Sequence, residues 1–434
     1  MRKFLYSVFM LAAVVLAACS NDDNGDIQPK RGMTLNASVE DLSSRATMTD
    51  ESGKWKFAFA VNDQVSVSNS KISNYYTFTN NGSQFTSADA MVTTENADWY
   101  AYFPGNEVDL TNQTGTFADV ANYFAVAGGT AEATTGEKGL SITLKPKVAV
   151  LRIVAVDKKG ILDIHVKTTA DDKWVKGLTA TKDAADFTVS TSDTKTTLLQ
   201  KAESKVQAGE INYVVVPAGV KIEIYNGDLL LNKTKDAGLT AGKYYTITSG
   251  PTKGTENVLI NGKETPINWV QLWAGGPRFA TENVDKEMTW TEAAKTGSDY
   301  VWGANWRTPT AAEVTEEGGL QAEWNTKEGK WVVKEGSPTI NVTTKDGIEE
   351  TVEFTGVQPG YTKNTLTLYN KIDSHGYSHF NFWTTTENNG YGCMYRIMID
   401  KGIIGIFGPS SFESKDTKCL VRPVLSIQNI TNNK

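Results

Sequence analysis

Apolar residues in this chain alternate with polar ones over short runs, and the spacing of an amphipathic helix is hard to find. Met33-Thr34-Leu35-Asn36-Ala37-Ser38-Val39 is one such run, and Lys221-Ile222-Glu223-Ile224-Tyr225 is another. A period of two places every second side chain on the same face of a strand, so each run predicts a strand with one face buried. No such strand is stable alone. Its backbone donors and acceptors need neighbours and its apolar face needs cover, so a chain built of these runs has to fold as packed sheets. The abundance of Thr, Asn, Gly and Val agrees with a strand-rich architecture.

From Trp55 to about Ser249 the strands follow one another closely. Lys56 to Val67 carries Phe57, Phe59, Val61, Val65 and Val67 around a polar Asn62-Asp63 corner. Tyr75-Tyr76-Thr77-Phe78 leads through Asn81-Gly82 into Gln84-Phe85-Thr86 as a hairpin, and Trp99 to Phe103 is an aromatic strand stopped by Pro104-Gly105. Val148 to Val156 is apolar except for Arg152, the pattern of a strand covered on both faces. Asn226-Gly227 after Tyr225 predicts a type I′ turn into Leu229-Leu230-Leu231. So many short strands predict a mainly β chain with two tandem β-sandwich domains, residues 33–156 and 157–250.

Residues 251–256 are polar and read as a linker, and beyond them the composition changes. Seven of the eleven tryptophans fall between residues 269 and 331. Met288 to Lys295 reads as a helix ended by Gly297, and Thr310 with Glu313 three residues on is a capping box. Phe382 to Thr386, Met394 to Ile399 and Cys419 to Val424 read as strands, so residues 257–434 are expected to form an α+β domain.

The chain opens with Arg2 and Lys3, then runs without charge from Phe4 to Ala18, a length that suits a signal peptide over residues 1–18 better than a membrane span. Leu16-Ala17-Ala18-Cys19 resembles the lipobox of bacterial lipoproteins, which implies lipidation of Cys19. Ser20-Asn21-Asp22-Asp23 resembles the export signal of surface lipoproteins, which implies an anchor in the outer membrane facing outward. Residues 19–32 are polar, with Gly25, Pro29 and Gly32, and read as a tether. With Cys19 lipidated, Cys393 and Cys419 are the one pair left that could form a disulfide. The net charge of −7 gives no basic footprint, so nucleic acid is not an expected partner.

The order Arg45-Ala46, Trp55 with Val61-Asn62-Asp63-Gln64-Val65, Trp99 to Pro104, and Leu144 to Leu151 resembles the fimbrillin family. Tyr213 to Pro217 and Leu239 to Thr246 resemble its later strands, so the resemblance spans residues 33–250. Asn62 stands where a glycine is commoner in the family, and Pro146-Lys147 where a histidine often sits. The resemblance implies that an arginine-specific protease cuts between Arg45 and Ala46, releasing the strand Met33 to Val39. An extended segment of another fimbrial subunit then fills the groove by β-augmentation. Arg45 is the first basic residue after that strand.

Trp306-Arg307-Thr308-Pro309-Thr310 with Glu313, then Phe382 to Glu387, then Leu420 to Val424, resembles the bacterial "major paralogous domain", a relative of C-type-lectin-like folds. Residues 257–434 are therefore expected to be a C-type-lectin-like domain. Formylglycine-generating relatives use two cysteines close together, whereas Cys393 and Cys419 are far apart in sequence, so that activity is rejected. His375 and His379 sit in a Gly- and Ser-containing loop with no carboxylate motif beside them, so no metal is assigned, and no cofactor or catalytic residue either. Trp383, Glu387, Asn388 and Asn389 are the candidate rim for a ligand, while most tryptophans are expected to pack the core. In shaft fimbrillins the donor segment lies at the C-terminus, where this chain carries a separate domain. The resemblances together imply a lipid-anchored adhesin, a fimbrial tip or accessory subunit that takes a host or microbial glycan or protein as ligand. The alternative is a monomeric glycan-binding lipoprotein of a polysaccharide-uptake system.

Overall fold

The computed structural model describes residues 31–39, 59–71, 74–91, 96–133, 139–157, 161–202, 205–234, 237–260, 262–316, 319–326, 330–345, 349–371, 377–400 and 403–426. The signal peptide, Cys19, the tether up to Lys30, Arg45, Ala46 and His375 lie outside them. The chain begins with β1 (Arg31–Val39), β2 (Gln64–Asn69), β3 (Tyr76–Asn80), β4 (Phe85–Met91) and β5 (Ala97–Phe103). It continues with β6 (Glu107–Asp109), the single turn α1 (Val120–Tyr123), β7 (Val126–Ala133) and β8 (Leu140–Pro146). All of these strands except β6 close into one barrel, in the order β1-β4-β3-β2-β5-β7-β8. The sequence predicts a β-sandwich for this segment. The difference lies in β1, which pairs antiparallel with β4 and parallel with β8 and so leaves the sheet without a free edge.

Asn62, in the place where fimbrillins favour glycine, has φ 74°, a left-handed conformation that asparagine tolerates better than most residues. Its N–H donates to Asn80 O at 2.8 Å, which holds the corner against the end of β3.

Next come β9 (Val148–Val154), β10 (Leu162–Thr168), β11 (Trp174–Ala180), β12 (Phe187–Ser192) and β13 (Leu199–Lys201). They are followed by β14 (Ile211–Pro217), β15 (Ile222–Asn226), β16 (Leu229–Lys233) and β17 (Tyr244–Thr248). One sheet runs β12-β11-β10-β15-β16, with β13 added on β10 and β6 on β11, and a second runs β14-β9-β17. The boundary expected between residues 156 and 157 does not fall between sheets. β9 precedes it, yet pairs along its whole length with β14 and from Val150 to Val154 with β17. Nor is there a break in the core, since Leu35, Ile142, Val166 and Val216 belong to one buried cluster. Tyr102 ties the barrel to the β11–β12 corner by donating its hydroxyl to Thr181 O and Ala184 O. The turn after β15 also shifts by one residue. Asn226 pairs with Leu229, so Gly227 and Asp228 make the turn, and only Gly227 has positive φ. Asn226 is held in the strand because its side chain accepts from Asp163 N–H and donates to Ile161 O and Ser249 O.

The remaining elements are β18 (Lys253–Ile260), β19 (Lys263–Gln271), β20 (Arg278–Ala280), α2 (Trp290–Ala293), β21 (Trp306–Arg307) and α3 (Ala311–Val314). After them come β22 (Ala322–Asn325), β23 (Lys330–Val333), β24 (Thr339–Lys345), β25 (Glu349–Thr355) and β26 (Thr365–Lys371). The last are β27 (Tyr377–Asn388), β28 (Tyr391–Asp400), β29 (Ile403–Glu413) and β30 (Val424–Leu425). They form the sheets β18-β19-β20-β30-β21, β24-β25-β26 and β27-β28-β29, with β22-β23 as a separate pair. Most of the expected linker is strand, because Lys253 to Glu256 pair with Ile267 to Val270. The expected α+β character is not met either. Both α-helices of this region are single turns, closed by capping boxes at Thr289–Glu292 and Thr310–Glu313, and the rest of its regular structure is almost all strand. Trp269, Trp273, Trp302, Trp306 and Trp383 are all buried, as core packing requires.

Candidate strand-exchange site

β1 begins at Arg31, two residues before the alternating run, and the period of two holds from Met33 to Val39. Met33 and Leu35 are buried to 2% and 0% exposure, while Asn36 and Ser38 face outward. Leu35 lies opposite Phe85 on β4 and Leu140 on β8, and Ala37 and Val39 continue along β8 opposite Ile142 and Leu144. The strand is thus gripped by β4 over its first half and by β8 over its second. Phe59 closes the barrel interior beside it, with its ring 4.9 Å from Phe85 and 5.2 Å from Phe103. Gly139, at φ +70°, faces the carbonyl and hydroxyl of Thr34 so closely that a Cβ there would displace β1. No sequence signal marked Gly139, since its role depends on a strand more than a hundred residues away.

β4 and β8 pair with β3 and β7 on their other sides and, among the described residues, are joined to each other only through β1. Taking β1 away therefore opens the ring at one seam. It uncovers two ladder edges and the apolar seats of Met33 and Leu35, which is the chemistry that β-augmentation uses.

The candidate ligand rim in the C-terminal region is not assembled as expected. Trp383 is fully buried and donates its indole N–H to Met288 O at 2.8 Å, so its ring offers no face to a ligand. The threonines after it are structural, with Thr384 donating to Cys393 O and Thr386 accepting from Ala311 N–H. Glu387 is joined to Lys415 at 2.7 Å, and that ammonium also sits over the Trp290 ring at 4.6 Å. Asn388 closes β27 opposite Tyr391, leaving Asn389 and Gly390 as a two-residue turn with φ 50° and 86°. Asn388, Asn389 and Tyr391 are exposed there, so the sequence found the polar turn but not its aromatic neighbour.

Arg307 and Glu313 form a two-armed ion pair beside the α3 cap, with Arg307 Nη1 2.8 Å from Glu313 Oε2. Burial pushes the Glu313 carboxyl upward, but the guanidinium and the Thr310 hydrogen bonds outweigh it and hold the group below its ordinary value. Cys393 and Cys419 are free buried thiols, so the disulfide is not formed. Cys393 lies opposite Phe412 within the β28–β29 pair, whereas Cys419 bridges to Met288 on another element. Burial raises the Cys393 thiol and pushes Cys419 up to about 12. Among the described residues no group of three His, Cys, Asp or Glu could hold a metal ion, and His379 lies in β27 opposite Met398.

No family model matches this chain, and no curated protein matches it. Among solved structures it is similar to a candidate cell adhesion protein from Bacteroides ovatus, at 9% identity over 54% of this chain and 94% of that one, with a TM-score of 0.31. A candidate cell adhesion protein from Bacteroides uniformis matches at 14% identity, covering 50% and 93%, also with a TM-score of 0.31. A fimbrial protein from Bacteroides ovatus matches at 12% identity over 91% of this chain and 99% of that one, with a TM-score of 0.24. The likeness is loose. At that level the chain's own residues have to carry any reading of function.

Proposed function

We propose that this chain is a lipid-anchored surface adhesin, a tip or accessory subunit of a fimbrium, and that β1 is its removable strand. One observation carries the reading: among the described residues β1 alone joins β4 to β8, so its loss opens the barrel while every other described strand keeps a partner. Cleavage between Arg45 and Ala46 would cut the chain just beyond that strand, and an extended segment of another subunit would take its place. The strand β30, held between β20 and β21, is committed to its own sheet, which favours a subunit that receives a strand over one that gives its own. Cys19 would carry the acyl chain that holds the molecule to the outer membrane. The C-terminal region would meet the ligand, a glycan or a protein, with the β27–β28 turn at Asn388 and Asn389 as its exposed polar end.

The test is treatment of the purified chain with an arginine-specific protease, followed by a peptide with alternating apolar residues. The expected result is one cut after Arg45, release of β1 and capture of the peptide. A chain that is not cut at Arg45, or that is cut and still holds β1 against excess peptide, overturns the proposal. An uncut monomer that binds oligosaccharides would instead favour a glycan-uptake lipoprotein.

A further inference from the structure

Three buried polar atoms at the joint between the strand-rich half and the C-terminal region have no hydrogen-bond partner among the described residues. They are Gln271 Oε1, Arg278 Nε and Tyr361 Oη. Their residues are 1%, 6% and 0% exposed, so bulk solvent does not reach them. They occupy one neighbourhood. Gln271 and Arg278 face each other across β19 and β20. The Arg278 guanidinium reaches Asp157, just beyond β9, at 3.2 Å. The Tyr361 hydroxyl is raised from its ordinary value first by burial, then by the charge of Asp157, against the opposing charge of Arg278. The amide end of Gln271 donates to Val156 O at 3.2 Å and to Gly276 O at 2.9 Å, and the Tyr361 ring packs with Val154 and Val156.

Unpartnered buried polar atoms are uncommon because each gives up its hydration without return, so three in one joint point to an occupant. Its chemistry follows from the atoms. Arg278 Nε–H donates only, Tyr361 O–H can donate, and Gln271 Oε1 accepts only. A metal ion would be repelled by the guanidinium and an apolar group would leave all three unsatisfied. Water accepts two hydrogen bonds and gives two, which matches the set. We propose that the joint binds an internal water that accepts from Arg278 and Tyr361 and donates to Gln271. This hydrated node locks the C-terminal region to the β9 end of the strand-rich half as one rigid body. Direct bonds surround it: Gly275 N–H donates to Val156 O at 2.7 Å, and Asn364 Nδ2 donates to Gln271 O at 2.8 Å.

Tyr361→Phe in the full chain removes one hydroxyl and keeps the ring. If the water is present, the variant loses a bond, and its unfolding midpoint falls by about 1–2 °C in a chain of 434 residues. A midpoint that stays or rises means the hydroxyl had no partner to lose, and overturns the proposal. A crystal structure of the unmodified protein gives an independent reading. Density for a water within hydrogen-bond reach of Tyr361 Oη, Arg278 Nε and Gln271 Oε1 supports the node, and a dry joint or any other occupant overturns it.

Discussion

Leu35 offers the sharpest measure of whether β1 is a specific plug. Its side chain is fully buried between Phe85 and Leu140, the one position where β4 and β8 grip the strand together. Truncating a buried leucine to alanine costs about 2–5 kcal/mol, the spread reflecting how far the cavity collapses. Each 1.4 kcal/mol is tenfold in affinity, so a peptide of residues 31–39 carrying Leu35→Ala should bind roughly 30-fold to several thousand-fold more weakly than the native peptide. The assay is fluorescence polarisation of labelled peptide against a chain cut after Arg45 and freed of β1. Asn36→Ala, on the exposed face, is the control and should bind as the native peptide does. Equal affinity of the Leu35→Ala peptide would refute the idea that buried side chains select the strand. A weakened Asn36→Ala peptide would show that the main chain is not held in this register.

Gly139→Ala places a Cβ against Thr34 at a backbone conformation that costs about 1–3 kcal/mol for other residues, so the amides of Thr34 to Val39 should exchange faster with deuterium while those of β2 and β5 hold. Glu313 has a lowered folded value, so its contribution to stability is complete above the ordinary carboxyl value of 4.5 and is lost as pH falls through the folded one. Glu313→Gln should therefore flatten the fall of the melting temperature in acid below about pH 4.5, and an unchanged slope would remove Glu313 from that account. Cys393 and Cys419 should resist alkylation in the folded protein near neutral pH and react fully on unfolding without a reductant, as read by mass spectrometry. Trp383→Ala should destabilise the protein by about 3–5 kcal/mol in denaturant, the cost of emptying a core site, and a ligand effect without that loss would return Trp383 to the ligand surface.

What the sequence shows depends on how local the cause is. The Thr310–Glu313 box is a four-residue motif whose reciprocal bonds need nothing from elsewhere, and it forms as read. The same four-residue form recurs at Thr289–Glu292, inside a run whose sequence reads only as a helix. The alternation in β1 gave its buried face correctly, because a period of two is a property of the strand itself. Closure of the barrel was not legible, since the pairing of Leu35 with Leu140 spans a long stretch of chain. The pattern of β9 shows a strand covered on both faces, but grouping it with residues 33–156 misses its partners β14 and β17 for the same reason. At the Asn226 turn a local preference loses to tertiary bonds, and at Trp383 an aromatic beside a polar run reads as a rim although its indole N–H faces inward.

The barrel of seven strands has an arithmetical consequence. An odd number of strands cannot alternate direction all the way round a closed ring, so an odd number of neighbouring pairs must run the same way. Here that mismatch sits at β1 and β8. If a replacement entered β1's place head-for-tail, the mismatch would move to the β4 side, and the count would not change. Strand polarity alone therefore gives the opened ring no means of refusing a reversed guest, and the choice of direction falls to the side-chain seats around Leu35.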